Sequence, residues 1–291
     1  MILGIDLRET AVLALLVDDG GVVIRRAERE GGTASAVADA VRAIGEPAPT
    51  HLGVAVRDPA DPVVADGVAA AVGAARAPGA PRIVTKGSAV ALAEQWCGAA
   101  RGARHVVALT AGECVHAGIL IDGRLFEGAH GQAGAAGWLA LNPVERDDYR
   151  RLGCLEAEVG ASGIVRRLVW RIKAGDNSRV LDMAGGQFSD ITVRHIFDAA
   201  RAGDGVSIAV VRDTARYIGM AIGNLIAVVD PEIVVLGGLI AEAADLLIEP
   251  SRTEASRRVS GSVSATVQIV AGTLGDDAAA IGAARAALID R

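Results

Sequence analysis

The sequence predicts a duplicated α/β fold with two lobes, and its composition and element order lead to this prediction. Its 291 residues are 51% hydrophobic and 22% charged, enough apolar material to bury a large core. Only 3% are aromatic, so small and branched aliphatic side chains must build that core. Such residues suit tightly apposed helices and buried parallel strands, although GC-rich coding would produce the same bias. Each half of the chain reads as a β-meander followed by helices, which indicates two similar lobes.

The first half is predicted to begin with three strands and then to alternate helices with strands. Short apolar runs bounded by turn residues indicate the strands, and apolar residues at helical spacing indicate the helices. The predicted elements are strands at 2–6, 11–17 and 22–24, a helix at 34–44, a strand at 52–56, a helix at 63–75, a strand at 82–85 and a helix at 88–96.

The second half repeats this order and then becomes mainly helical. Asp122-Gly123 is the expected hairpin turn, Asp230-Pro231 is expected to end a long helix, and Gly237-Gly238 is read as a tight turn from strand to helix. The predicted elements are strands at 106–110, 117–121 and 124–126, helices at 161–173, 192–202 and 206–229, strands at 233–236 and 267–270, and a closing helix at 278–289.

Charge and hydropathy exclude several classes of protein. The net charge is −6 and the isoelectric point about 5.4, so we expect no nucleic-acid partner. No apolar run approaches the roughly 20 residues of a membrane helix, and no basic segment precedes Asp6, so we expect neither a membrane span nor a signal peptide. Three scattered cysteines fit a reducing compartment. The expected location is the cytoplasm.

Several motifs resemble those of the ROK family (repressors, open reading frames and sugar kinases). They read DPEIVVLGG at 230–238, GCLEA at 153–157, ILIDGRL at 119–125, GAHGQAG at 128–134 and LGDDA at 274–278. The resemblance implies an actin-like (ribonuclease H-like) ATPase fold with sugar and ATP between two lobes, and a homodimer. It places the smaller lobe at 1–105 plus 277–291 and the larger lobe at 106–276.

The catalytic position departs from the pattern of this family. Its sugar kinases carry the base as an Asp after an Asn at a helix start, and alignment on Ala91–Glu94 puts Thr85-Lys86 there. A lysine with an ordinary pKa is protonated at neutral pH and cannot accept the proton of a sugar hydroxyl. We therefore expect no catalytic residue at this position. Lys86 would instead neutralise phosphate or lie solvated at the helix start.

The phosphate-binding loops also differ from the family. In the first hairpin Asp6 and Thr10 are kept, but Arg8-Glu9 replaces two glycines; in the second, Gly112 begins a run, GECVH, that has lost two glycines and a threonine. The candidate nucleotide-binding residues implied by the resemblance are Asp6, Thr10, Gly112, Gly237 and Gly238. The alternative for the two glycines at 237 and 238 is that the turn from strand to helix alone requires them.

The metal site of the family is missing from the sequence. Its zinc-binding His and first two Cys positions align with Trp138, Asp147 and Tyr149, so we expect no zinc and no other metal there. Cys154 remains and is expected to be a small buried hydrophobe, while Trp138 would fill the vacated volume. Of the two sugar-contacting Glu positions, one is Ala135. The other, Glu156, is the sugar-binding candidate, or else it stabilises a helix start.

These departures lead to a hypothesis of a non-catalytic ROK-fold protein, a pseudo sugar kinase with a regulatory, ligand-sensing or assembly role. The alternative is an active ATP-dependent sugar kinase with a divergent substrate and altered catalytic residues, using ATP and Mg²⁺. A third hypothesis is a scaffold that binds no small molecule. A family repressor is not expected, because the sequence begins at the Asp6 strand and not with a winged helix-turn-helix.

Overall fold

A five-stranded mixed sheet forms the centre of the first of two compact units. The computed structural model describes residues 1–59 and 61–289, so residue 60 and the last two residues of the predicted smaller lobe lie outside it. The strand order is β3-β2-β1-β4-β5, with β1–β3 antiparallel and β1, β4 and β5 parallel. The strands are β1 (Ile2–Leu7), β2 (Ala11–Val17), β3 (Val23–Glu30), β4 (His51–Val56) and β5 (Arg82–Thr85).

Helices cover both faces of this first sheet. Helices α1 (Ala34–Ile44) and α2 (Pro62–Ala75) enclose one apolar core, and α3 (Lys86–Cys97) and α13 (Ala278–Leu288) enclose another. Helix α13 lies directly on the sheet, because a Cβ added at Gly4 would come within 1.9 Å of the Ala280 carbonyl oxygen. A Cβ at Gly53 would likewise come within 1.8 Å of the Ala283 oxygen. The small-residue composition is thus used for close backbone packing.

The second sheet has the order β10-β9-β6-β7-β8, with β9 and β10 parallel and β7 and β8 antiparallel. Its strands are β6 (Val106–Ala111), β7 (Val115–Ile121), β8 (Arg124–Leu125), β9 (Ile233–Gly238) and β10 (Gln268–Ala271). The first compact unit is Met1–Ala108, Ala117–Gly134 and Gly272–Arg291, and the second is Leu109–His116 and Ala135–Ala271. The lobe boundaries implied by the resemblance stay a prediction.

The second unit is mainly helical and is organised around α9, which is 25 residues long. Its helices are α4 (Asp147–Leu152), α5 (Cys154–Val159), α6 (Ala161–Lys173), α7 (Val180–Met183), α8 (Val193–Arg201), α9 (Gly205–Val229), α10 (Leu239–Glu242), α11 (Ala244–Ser256) and α12 (Gly261–Ser264). As predicted, Asp230-Pro231 ends α9: its last residue is Val229, and its C-cap Asp230 has a left-handed φ of 50°. Among the described residues, none of the helices combines the length and hydropathy needed to cross a bilayer.

We expect Asp204, the N-cap of α9, to make the stability of the protein depend on pH. Burial raises the pKa of this carboxyl, but hydrogen bonds from the Ser207 and Arg179 amides and the Ser178 hydroxyl outweigh burial and hold it below its ordinary value. A depressed carboxyl pKa stabilises the fold above the unfolded-state pKa of about 3.9, and this contribution is lost as pH falls through the folded-state pKa.

The Asp204→Ala variant should therefore lose about 1–2 kcal/mol of unfolding free energy at pH 7, measured by urea denaturation. The difference in unfolding free energy between the variant and the wild type should become smaller below about pH 4, because the wild-type carboxyl is then protonated. Asp182→Ala, at an exposed position on α7, is the control and should change stability by less than about 0.5 kcal/mol. A gap that stays constant between pH 3 and 7 would contradict this account.

Candidate functional site

The parallel strands of the first unit bring Asp6 and Lys86 together. The strand register places Asp6 opposite Ala55 and Ala55 opposite Val84, so the carboxyl ends of β1 and β5 meet at one edge of the sheet. Lys86 follows β5 directly and is the first residue of α3, two residues earlier than the predicted helix start. Its Nζ lies 3.2 Å from Asp6 Oδ1. Two residues 80 positions apart thus form one ion pair.

Arg8 completes what we call the charged cluster, which consists of Asp6, Arg8 and Lys86. Arg8 Nε donates to Asp6 Oδ2 at 2.7 Å, and its Nη2 donates to the carbonyl oxygen of Asp276 at 2.9 Å. Burial lowers the pKa of Arg8, but the hydrogen bond and charge of Asp6 outweigh burial and raise it above its ordinary value. The Asp6 side chain is only 5% exposed, so a buried carboxylate lies between two cations.

From the sequence, Arg8 was expected only to add bulk in place of a glycine. In the structure its guanidinium turns back onto Asp6 and ties the turn after β1 to residue 276, which is 268 positions away in the chain. Arg8 follows β1 directly and lies two positions after Asp6; side chains two apart in extended backbone share one face, and this spacing is the signal that could have identified Arg8. The neighbouring Glu9 forms an exposed ion pair with Arg57, so its negative charge is compensated.

The other predicted residue of the first hairpin is Thr10, which is exposed in the turn between β1 and β2. Its carbonyl oxygen accepts a hydrogen bond from the Gly31 amide at 2.7 Å. The backbone at Thr10 is therefore fixed by the end of β3. A role in nucleotide binding stays a prediction for this residue.

In the second unit the structure brings Gly112 and Gly238 close together. Gly238 has a φ of 61°, and a Cβ there would come within 2.2 Å of the Ala111 carbonyl oxygen, next to Gly112. Gly237 precedes it at the buried end of β9. The Gly112 carbonyl oxygen accepts from the amide of Ala161, the first residue of α6. These residues form what we call the glycine turn: Gly112, Gly237, Gly238 and the start of α6.

Glu156 is buried in the first turn of α5, where its Oε2 accepts from the Val115 amide at 2.9 Å. This bond ties α5 to the start of β7. The carboxylate therefore has a structural partner, and its proposed sugar contact stays a prediction.

One of the positions aligned with zinc ligands, Tyr149, belongs to an ionic network. Glu158, 3% exposed, accepts from Tyr149 Oη at 2.5 Å and Arg146 Nη1 at 3.1 Å, and Arg167 Nε lies 3.6 Å away. Burial and the Glu158 carboxylate raise the pKa of Tyr149, while burial lowers the pKa of Arg167. We call these residues the Glu158 network; they hold α4 against α5 and α6.

Of the two predictions made for Cys154 and Trp138, one is confirmed and one is wrong. Cys154 is buried against Tyr149, Ala157 and Leu141, which confirms its prediction as a small hydrophobe. Trp138 was expected to fill a vacated volume, and this is wrong, because its side chain is 59% exposed. Within the described part of the chain, no three His, Cys, Asp or Glu side chains are grouped to hold a metal ion.

Comparison with known proteins identifies the family. The sequence pattern of the ROK family matches residues 81–289. The chain therefore belongs to the ROK family. The fold is similar to the crystal structure of a ROK family glucokinase from Streptomyces griseus in complex with glucose and AMPPNP. The superposition covers 99% of each chain, with a TM-score of 0.84 and 24% sequence identity. The two-sheet α/β architecture is thus the actin-like ATPase fold of ROK sugar kinases, as predicted.

Two glucokinases are similar in sequence. The enzyme of Thermotoga maritima is 33% identical over 198 residues, which are 68% of this chain and 62% of the relative. That of Halalkalibacterium halodurans is 32% identical over 194 residues, which are 66% of this chain and 58% of the relative. The match thus spans about three-fifths of the length of these relatives.

The hypothesis of a non-catalytic regulatory or assembly protein is wrong. Relatives named as glucokinases at 32–33% identity, and the fold match to a glucokinase bound to glucose and AMPPNP, favour the alternative of an active sugar kinase. The hypothesis rested on the joint loss of the catalytic Asp, the phosphate-loop glycines and the zinc ligands of the family. Nothing in the sequence indicated that Asp6 lies buried between two cations.

Proposed function

We propose that this protein is an ATP-dependent sugar kinase and that glucose is the first substrate to test, because the relatives above are glucokinases. The observation that carries the proposal is the buried Asp6 between Arg8 and Lys86 at the carboxyl edge of a parallel sheet. In α/β folds, ligands bind outside the carboxyl ends of such strands. The charged cluster therefore lies at the edge where a ligand is expected.

Lys86 would act on the phosphoryl group as a cation. A positive charge at a helix N-terminus opposes the helix dipole, at a cost of about 0.3–1 kcal/mol, so Lys86 occupies a position that helix stability disfavours. The dipole and the ammonium together attract an anion. Phosphoryl transfer passes through a loose transition state in which charge spreads over the phosphoryl oxygens, so positioning and charge stabilisation contribute most of the catalysis. A cation at position 86 suits that requirement.

The Asp6 carboxylate is suited to hold the magnesium ion that accompanies ATP. Its Oδ1 is buried and accepts no hydrogen bond of good geometry from any residue that the structure describes, although Lys86 Nζ lies nearby. Mg²⁺ takes hard oxygen ligands and is commonly held by one or two carboxylates together with substrate phosphates. When bound, the metal would neutralise charge on those phosphates. The backbone amides of the glycine turn are the proposed contacts for the nucleotide.

The test is a coupled assay of ADP formation with ATP, Mg²⁺ and a panel of hexoses and amino sugars. We expect sugar-dependent ADP formation, with glucose among the accepted sugars. ADP formation that is the same with and without every sugar would overturn the proposal.

The lysine content of the chain allows a second measurement at the charged cluster. Only two of the 29 basic side chains are lysines, Lys86 and Lys173. An amine-reactive reagent followed by mass spectrometry should therefore report Lys86 against Lys173 as an internal reference. We expect ATP with Mg²⁺ to slow labelling of Lys86 at least about fivefold and to leave Lys173 unchanged. Equal protection of both lysines, or protection of neither, would contradict the proposal that the charged cluster binds the nucleotide.

A further inference from the structure

A cavity of about 690 Å³ lies in the first unit, apart from the charged cluster. Its lining comes from β5, α3, β8 and the end of α13. Pockets that bind small molecules are usually about 300–1,000 Å³, apolar, and carry a few converging polar groups. The size of the cavity therefore suits a small organic molecule.

The base of the cavity is apolar. Leu92 of α3 is 1% exposed and Ala286 of α13 is 3% exposed, and Leu125 of β8 is half-buried. Ile289, which is 39% exposed, extends this apolar surface to the rim. A hydrocarbon portion of a ligand would thus find buried aliphatic contacts.

Three charged side chains line the same cavity. Arg82 Nη2 pairs with Glu127 Oε2 at 2.7 Å, so these two charges compensate each other. The Arg124 side chain is exposed and forms no hydrogen bond or ion pair with any described residue. The described lining residues therefore have a net charge of +1, located on a guanidinium whose fork geometry matches a carboxylate.

We propose that this cavity binds a small monocarboxylate with an apolar chain, with the carboxylate on Arg124 and the chain over Leu92, Leu125 and Ala286. A single negative charge matches the single uncompensated positive charge. A dianionic phosphate would place a second negative charge near Glu127. The proposal concerns binding alone and does not depend on the proposed kinase activity.

The first test is calorimetric titration of the whole protein with butanoate, hexanoate and octanoate. Each methylene buried in the cavity contributes about 0.8 kcal/mol, so affinity should rise about fourfold per methylene until the cavity is full. Octan-1-ol, which lacks the charge, should bind at least about tenfold more weakly than octanoate. Equal affinity for butanoate and octanoate, or for octanol and octanoate, would overturn the proposal.

Variants test the role of each charge. Arg124→Ala should weaken octanoate binding about 10- to 100-fold, whereas Arg101→Ala, at another exposed arginine of the same unit, should leave it unchanged. Glu127→Gln frees Arg82 and raises the net charge of the lining to +2, so it should improve binding of hexyl phosphate relative to hexanoate. An Arg124→Ala variant that binds like wild type, or an unchanged preference in Glu127→Gln, would refute the assignment.

Discussion

Replacing Asp6 with asparagine is expected to lower sugar-dependent ATP turnover by about 10²- to 10³-fold, the usual effect of removing one group that stabilises charge in the transition state. The substitution keeps the size of the side chain and an oxygen that can accept from Arg8. It removes the negative charge that would hold Mg²⁺ and that orients Lys86 at 3.2 Å. The measurement is kcat and KM for ATP in the coupled assay.

Two further variants decide what the loss means. Asp39→Asn, at an exposed position of α1, is the matched control and should keep wild-type turnover. Lys86→Met removes the other charge of the pair. If Asp6 contacts the nucleotide itself, Asp6→Asn should lose more activity than Lys86→Met, and the double variant should lose more than either. If Asp6 only orients Lys86, all three variants should be equally impaired. Unchanged turnover in Asp6→Asn would refute the proposed site.

Replacing Glu158 with alanine is expected to cause the largest loss of stability, about 3–5 kcal/mol in the free energy of unfolding. The carboxylate is 3% exposed and accepts from Tyr149 and Arg146, with Arg167 at 3.6 Å. Removing it leaves the buried Tyr149 hydroxyl without its acceptor and the largely buried Arg167 guanidinium without the carboxylate that it faces. Urea denaturation monitored by tryptophan fluorescence measures the change.

The control for this prediction is Glu145→Ala. Glu145 lies in the same unit and pairs with Arg150, but its side chain is 75% exposed, so the expected change is below about 0.5 kcal/mol. A loss below about 1 kcal/mol in Glu158→Ala would mean that water enters the site and replaces the carboxylate. The Glu158 network would then not be what holds α4 in place.

Apolar patterning was sufficient to predict most elements of the fold. The strand Ala11–Val17, the helix Ala34–Ile44 and the helix Ala161–Lys173 have the predicted bounds. Strand β3 was predicted to stop at residue 24 but continues to Glu30. The prediction stopped too early because six of the eight residues of this strand are exposed, and most of them are charged. Helix α11 was not predicted separately, and it contains Pro250, a residue that usually ends helices.

The candidate site was harder to predict from the sequence than the fold was. Asp6 was predicted from a short motif, but its partners come from residue 86 and, through Arg8, from residue 276. Local patterns do not report such distant contacts. Motif comparison also showed which family residues were missing at positions 86 and 149. It could not show that the replacing side chains form ion pairs and hydrogen bonds of their own.

The direct seating of α13 on the first sheet has a mechanical consequence. With glycines at 4 and 53, no side-chain layer separates the helix backbone from β1 and β4. Gly282 similarly brings α13 against the backbone of α3, where a Cβ would come within 1.7 Å of the Ala89 oxygen. Side-chain layers can absorb small displacements by changing rotamers, whereas backbone contacts cannot. The sheet, α3 and α13 should therefore move as a single stiff block, so that any force on α13 is transmitted undamped to the strand that carries Asp6.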